Sequence, residues 1–264
     1  MSAAWWNGRL VAAEEVALAP DDAGFLHGDG LFETLRVDGG RVRDLDAHLD
    51  RLLGSLPRID LEIPEGRRAL AAAVRTVAKA APRPAARLRI TVTRGVGGEP
   101  TRLVTAVPYA PPSRAMYREG VAAVVLHDLR LEARGALTGL KSLSYGAHAL
   151  ALRRARAAGA WEALLLDNDG LLLEGSRSNV ILVLEAGRAY TPPAAEGCVP
   201  GTVRRRLLEA GLIDEGEVFD DDLPAASEVL LTNSLVGVLP VGRIGERRWA
   251  PGPVARRLRA ALRR

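Results

Sequence analysis

At 264 residues the chain exceeds the usual size of one domain, so two domains are expected. Hydrophobic residues make up 48% and aromatic ones 4%, which points to aliphatic cores, and a formal net charge of +4 does not demand a polyanionic partner. The one cysteine, Cys198, excludes an intrachain disulfide framework and a Cys-based zinc cluster, and no uncharged stretch approaches membrane-spanning length, so a cytoplasmic protein is expected.

Trp5-Trp6-Asn7-Gly8-Arg9-Leu10 predicts a hairpin, because Asn-Gly supplies the positive dihedrals of a tight turn. Gly24 to Gly30 is a glycine-rich bend suited to close backbone approach, and it feeds a strand carrying Phe32, Glu33 and Arg36. His27 within the bend reads as a packed or backbone-bonded imidazole, with a general base as the alternative. After the turn at Asp38-Gly39-Gly40-Arg41, Asp46 is placed to cap a helix from Ala47 to Leu56. Leu49, Leu52, Leu53 and Leu56 share one face of it, which leaves His48 and Arg51 together on a flank; taken alone, Arg51 reads as a surface charge.

A second helix is expected from about Glu65 to Ala80, with Lys79 in its last turn, where a cation suits the helix dipole. Arg87 to Arg94 alternates with period two, the pattern of a half-buried strand, and runs into the flexible loop Gly95-Val96-Gly97-Gly98. Arg94 and Arg102 flank that loop; each is either a solvated charge or a bidentate ligand for a substrate carboxylate.

Pro108 to Ser113 is the best interdomain connector, since clustered prolines interrupt regular pairing. The division expected is a smaller domain over residues 1–107, a linker over 108–115 and a larger domain over 116–264. In the larger domain Val121 to Leu126 reads as a strand, Gly146 to Ala158 as a helix, Ala163 to Glu174 as a hairpin and Asn179 to Leu184 as a strand. Gly197 to Arg204 leads into a helix from Arg205 to Ala210, and its glycine, hydroxyl and free amides suit an anion. Val229 to Ser234 repeats that chemistry at a strand end, and Val254 to Arg264 reads as a basic amphipathic surface helix.

Two of the 36 cationic residues are lysines, Lys79 and Lys141, so Arg fills nearly every position that needs only charge. Arg does not lose its proton in a protein, whereas a desolvated Lys becomes a nucleophile able to form a Schiff base. Lys141, among small and apolar residues, therefore suggests amine chemistry.

The joint occurrence of His48-Leu49-Asp50-Arg51-Leu52, Lys141, Glu174-Gly175-Ser176-Arg177-Ser178-Asn179 and Pro200-Gly201-Thr202-Val203-Arg204 resembles the class IV aminotransferases, pyridoxal 5'-phosphate enzymes of fold type IV. The likeness runs from Asn7-Gly8 through Val241. It implies an α+β or α/β fold with a small amino-terminal domain, a larger cofactor-binding domain built on a sheet or barrel, and a homodimer. It also implies that Lys141 holds the cofactor as a Schiff base and moves the substrate's proton, and that Glu174 keeps the pyridine nitrogen protonated. Arg51 would bind the phosphate bidentately, with Gly201, Thr202 and Val203 at the helix start and Thr232 and Asn233 as a second wall. Ser178 and Asn179 belong to the cofactor set; Val199 would pack near the ring and Tyr145 would reach its phenolate oxygen. Phe32, Arg36, Arg94 and Arg102 are the substrate-side candidates.

The pocket residues divide the family. His27-Gly28-Asp29-Gly30 and Thr93 to Gly98 resemble the lyases and D-amino acid enzymes more than the branched-chain enzymes. The Arg-x-His element of the D-amino acid type is missing after Thr93-Arg94-Gly95, and the Asn-Arg-Leu-Glu run of the lyases is replaced by Ser144-Tyr145-Gly146-Ala147. The expectation is amino transfer between an amino acid and a 2-oxo acid, with aminodeoxychorismate lyase as the alternative. A basic nucleic-acid-binding module using Arg256 to Arg264 is the remote one.

Overall fold

The computed structural model describes residues 3–262. Contacts divide the chain into two units: the first runs to Pro111 and also takes in Leu140–Tyr145, and the second comprises Pro112–Gly139 and the chain from Gly146 onward.

The first unit contains β1 (Ala3–Trp6), β2 (Arg9–Ala12), α1 (Ala23–His27), β3 (Gly30–Asp38), β4 (Arg41–Val42), α2 (Leu45–Ser55), α3 (Arg67–Ala80), β5 (Ala85–Val96) and β6 (Glu99–Pro108). Its strands form one antiparallel sheet in the order β2-β1-β6-β5-β3-β4. Asn7 and Gly8 both take positive φ between β1 and β2, as the turn chemistry demands.

Period-two alternation sorts this sheet into two faces. Leu31, Leu35 and Val37 of β3 and Leu88, Ile90 and Val92 of β5 share a core with Leu49 and Leu52 of α2 and Leu70, Val74 and Val77 of α3. Each such buried aliphatic side chain contributes about 2 kcal/mol. The intervening residues, Phe32, Thr34 and Arg36 on β3 and Arg87, Arg89 and Thr91 on β5, occupy the other face.

Four local expectations need correction. The bend before β3 includes one helical turn, α1, capped by Asp22, whose Oδ1 accepts from the Gly24 N–H. His27 at its end is exposed and not packed. Asp46 does not cap α2; Asp44 precedes the helix in the left-handed conformation, and Asp46 sits in the first turn paired with Arg67. The glycines after Arg94 form a hairpin and not a loose loop, since β5 continues to Val96 and Glu99 pairs with it.

The second unit contains α4 (Arg114–Glu119), β7 (Val121–Arg130), α5 (Gly146–Ala157), β8 (Glu162–Leu166), β9 (Leu172–Gly175), β10 (Asn179–Val183), β11 (Ala189–Thr191), α6 (Thr202–Glu209), β12 (Asp214–Glu215), β13 (Glu228–Asn233), β14 (Gly237–Ile244), β15 (Arg247–Arg248) and α7 (Pro253–Ala261). The sheet runs β12-β11-β10-β13-β14-β7-β8-β9, with β15 paired to β14. It is mixed: β7 lies parallel to both β14 and β8, and β8 to β9 is antiparallel.

Inward residues from both ends of this sheet, including Leu164, Leu172, Val180, Leu182, Val229 and Leu239, share one apolar cluster, so the sheet curls around it. Ile181, Leu230 and Val238 on the opposite face pack with Val203 and Leu207 of α6 and Leu258 of α7. Central strands buried on both sides explain the unbroken apolar runs of the sequence. Among the described residues no helix is long and apolar enough to cross a membrane.

Candidate active site

In the first unit the returning segment runs antiparallel to the start of β3. The Phe32 N–H donates to the Lys141 carbonyl and the Leu143 N–H to the Gly30 carbonyl, each at 2.9 Å, and Leu31 bridges Ser142. Gly30 permits this crowding, because a Cβ there would lie 2.3 Å from the Val92 carbonyl oxygen. The pairing sets Lys141 Nζ 4.4 Å from the Phe32 ring centroid. Tyr145 meets Phe32 edge to face at 5.3 Å between centroids.

A residue missed from the sequence joins them. Arg89 places its guanidinium carbon 3.8 Å from the same Phe32 centroid, and its Nε donates to Thr91 Oγ1 at 3.0 Å. It is half-buried and no carboxylate pairs with it among the described residues. Burial, followed by the neighbouring Arg87, lowers its proton affinity below the ordinary guanidinium range. A desolvated cation without an anion is a standing invitation to an anionic ligand. The alternation Arg87-Leu88-Arg89-Ile90-Thr91 was its signal, since it puts Arg89 on the face opposite the core.

The three arginines chosen from sequence are differently engaged. Arg94 bonds Asp29 Oδ2 through Nε at 2.5 Å and the Ile59 and Asp60 carbonyls through its other nitrogens. Arg102 makes a two-pronged pair with Glu65, at 2.9 and 2.8 Å. Arg36 donates to Asp38 at 2.9 Å and lies over Tyr109. Arg51 is on the core side of the sheet, where its Nε and Nη2 grip Glu33 at 2.7 and 2.6 Å.

In the second unit Glu174, at the end of the β8–β9 hairpin, is buried and held at both oxygens. Its Oε2 accepts the Val199 N–H at 2.9 Å, and its Oε1 lies 3.0 Å from His148 Nε2 on α5. Val199 therefore acts through its backbone: its carbonyl also accepts from Asn179 Nδ2 at 2.7 Å. Gly201 follows as the cap residue of α6, and a Cβ there would fall 2.0 Å from Asn179 Oδ1. The helix begins at Thr202, three residues earlier than the sequence suggested, so the unbonded first-turn amides belong to Thr202 and Val203.

Thr232 faces Asn179 across the β10–β13 pairing, and its buried Oγ1 has no partner among the described residues. Asn233 serves its own turn: Oδ1 accepts from the Leu235 and Val236 amides and Nδ2 donates to the Arg177 carbonyl. Ser178 and Ser176 direct their hydroxyls to the two oxygens of Glu162, a buried acid absent from the sequence-based set whose pKa burial raises. These bonds fix the turn between Glu174 and Asn179.

The chain matches the Amino-transferase class IV family over residues 30–244. It belongs to the class IV aminotransferases. A D-alanine aminotransferase of Bacillus licheniformis is 31% identical over 274 residues, covering 97% of this chain and 94% of the relative. The branched-chain aminotransferase of Thermoproteus uzoniensis superposes with a TM-score of 0.88 at 26% identity, covering 99% of this chain and 93% of that one. The 4-amino-4-deoxychorismate lyase of Pseudomonas aeruginosa superposes with a TM-score of 0.83 at 31% identity, covering 98% of each. The fold is that of fold type IV enzymes, as expected from the motifs.

Class IV aminotransferases use pyridoxal 5'-phosphate. The second unit fits such a group: it has free helix-start amides, an orphaned buried hydroxyl on Thr232 and a buried carboxylate suited to a protonated heterocycle nitrogen.

Proposed function

We propose that this class IV enzyme transfers an amino group between an amino acid and a 2-oxo acid, with Lys141 carrying pyridoxal 5'-phosphate. One juxtaposition supports transfer to and from carboxylated substrates: an amine and an uncompensated guanidinium share the Phe32 ring, at 4.4 and 3.8 Å from its centroid. When bound, the cofactor supplies a carbonyl for amines and an electron-accepting ring.

The chain's residues supply the rest. Lys141 moves the proton at the substrate's α-carbon, and Glu174 holds a proton at the ring nitrogen while Val199 and His148 keep its carboxylate in place. Thr202, Val203, Thr232 and Arg51 bind the phosphate, and Gly201, the residue before the helix, leaves room for the Asn179 amide. Phe32 and Tyr145 wall the amine, and Arg89 orients the substrate carboxylate, a role from which Asp29, Glu65 and Asp38 withdraw Arg94, Arg102 and Arg36. A cytoplasmic homodimer completes the proposal, checked by light scattering and fractionation.

Release of pyruvate and 4-aminobenzoate from aminodeoxychorismate is the second reading, supported by the likeness to the Pseudomonas lyase over 98% of both chains. Mixing the holoenzyme with D-alanine, L-leucine, L-glutamate or aminodeoxychorismate separates the two. Conversion of the cofactor spectrum to the amine form identifies a transaminase; pyruvate together with 4-aminobenzoate identifies a lyase. A purified protein without visible cofactor absorption, even after addition of pyridoxal phosphate, would overturn both.

A further inference from the structure

Glu33 interrupts the apolar side of β3, between Leu31 and Leu35, and is only 1% exposed. Both prongs of Arg51 close on it, Nε on Oε1 and Nη2 on Oε2. His48, three residues before Arg51 on α2 and also 1% exposed, brings Nδ1 to 2.6 Å from Oε2. Burial drives the Glu33 carboxyl toward its neutral form, but the charge and bonds of Arg51 and the bond from His48 outweigh it and hold the pKa at about 2. Glu33 is thus an anion at neutral pH, and His48 Nδ1–H is the donor.

A buried ion pair is a poor device for stability alone, since apolar side chains of similar volume serve a core at least as well. The cost here is visible: His48 Nε2 is buried with no partner among the described residues. What the pair does provide is orientation. A guanidinium gripped along its Nε–Nη2 edge has its plane fixed. An arginine fixed beforehand loses less side-chain freedom when it meets an anion.

We propose that Glu33, clamped by His48, is the positioning residue that aims Arg51 at the cofactor's phosphate monoester. This deepens the proposed function and rests on its assignment of Arg51. The full-length protein, stripped of cofactor, is titrated with pyridoxal 5'-phosphate and separately with pyridoxal, followed by visible absorption. The ratio of the two Kd values isolates the phosphate contribution, which a merely structural role for Glu33 would not move.

Arg51→Ala and Glu33→Gln are both expected to lower the wild-type preference for the phosphorylated form by about tenfold or more, with pyridoxal affinity little changed. His48→Phe is expected to lower it less. Should Glu33→Gln fail to fold, Glu33→Asp, which retains the charge and retracts it, is expected to lower the same ratio. A wild-type ratio in whichever Glu33 variant folds, alongside its loss in Arg51→Ala, overturns the inference and leaves the proposed function intact. No preference for the phosphorylated form in the wild type, with the visible band still formed, removes the phosphate role of Arg51 and with it the inference.

Discussion

The Val199 N–H donates to Glu174 Oε2 at 2.9 Å. A residue that the sequence suggested as a ring contact is thereby the anchor of the carboxylate, and only Pro200 and Gly201 separate it from the first-turn amides of Thr202 and Val203.

Replacing the Glu174 carboxylate tests its charge. Glu174→Gln retains the shape and loses the anion that, in the proposed function, stabilises a protonated ring nitrogen. The turnover rate is expected to fall by about 100-fold, while the visible cofactor band persists. Stopped-flow absorbance of a half-reaction measures both, and an unchanged rate would remove Glu174 from the chemistry.

Arg89 and the engaged arginines should behave differently. Arg89→Gln removes a charge-assisted contact worth about 2 kcal/mol, so KM for the carboxylated substrate is expected to rise about thirtyfold. Arg102→Gln instead leaves Glu65 without its two-pronged partner and is expected to lower Tm with less effect on KM. Steady-state kinetics with thermal melts of both variants distinguish the two roles.

Gly201 is constrained by space and not by its backbone, whose φ of −61° suits any residue. In Gly201→Ala the methyl group would lie 2.0 Å from Asn179 Oδ1, forcing the amide away from the Val199 carbonyl. A loss of about 1–3 kcal/mol is expected, together with weaker cofactor binding. Urea denaturation of the cofactor-free protein and a titration with pyridoxal phosphate read the two effects separately.

Glu33 predicts acid sensitivity with a defined sign. Its folded pKa of about 2 lies below the ordinary 4.5, so its contribution is fully present above pH 4.5 and is lost as pH falls toward 2. Stability by urea denaturation is expected to decline across that window in the wild type, by roughly 3 kcal/mol from this group alone. In Glu33→Gln that component of the decline should be absent. An identical acid slope in the two proteins would show that Glu33 is not charged in the way its partners require.

The strands were legible from their patterning: Val180 to Val183 and Val229 to Leu231 are continuous apolar runs, and β5 alternates. Lys141 and Glu174 stood out by residue type. Arg89 was hidden because the alternation of β5 marks Arg87 and Arg89 alike, and only the pairing of β5 with β3 sets Arg89 against Phe32. Glu33 and Glu162 were hidden for the opposite reason: an acid in an apolar run looks like a surface residue until its partners, His48 and Arg51 or Ser176 and Ser178, are brought to it from distant elements.

By itself the sequence determined the chemistry available: one amine suited to carbonyl chemistry, a carboxylate beside a serine-rich turn, and a glycine ahead of a helix start. Those follow from residue type and local spacing, which act over a few residues. Tertiary structure decided which cations stay unneutralised. Arg36, Arg94 and Arg102 meet acids, and Arg89 does not. Charge compensation is a matter of through-space distance, and sheet pairing and the return of Leu140–Tyr145 to the first unit set those distances between residues far apart in the chain.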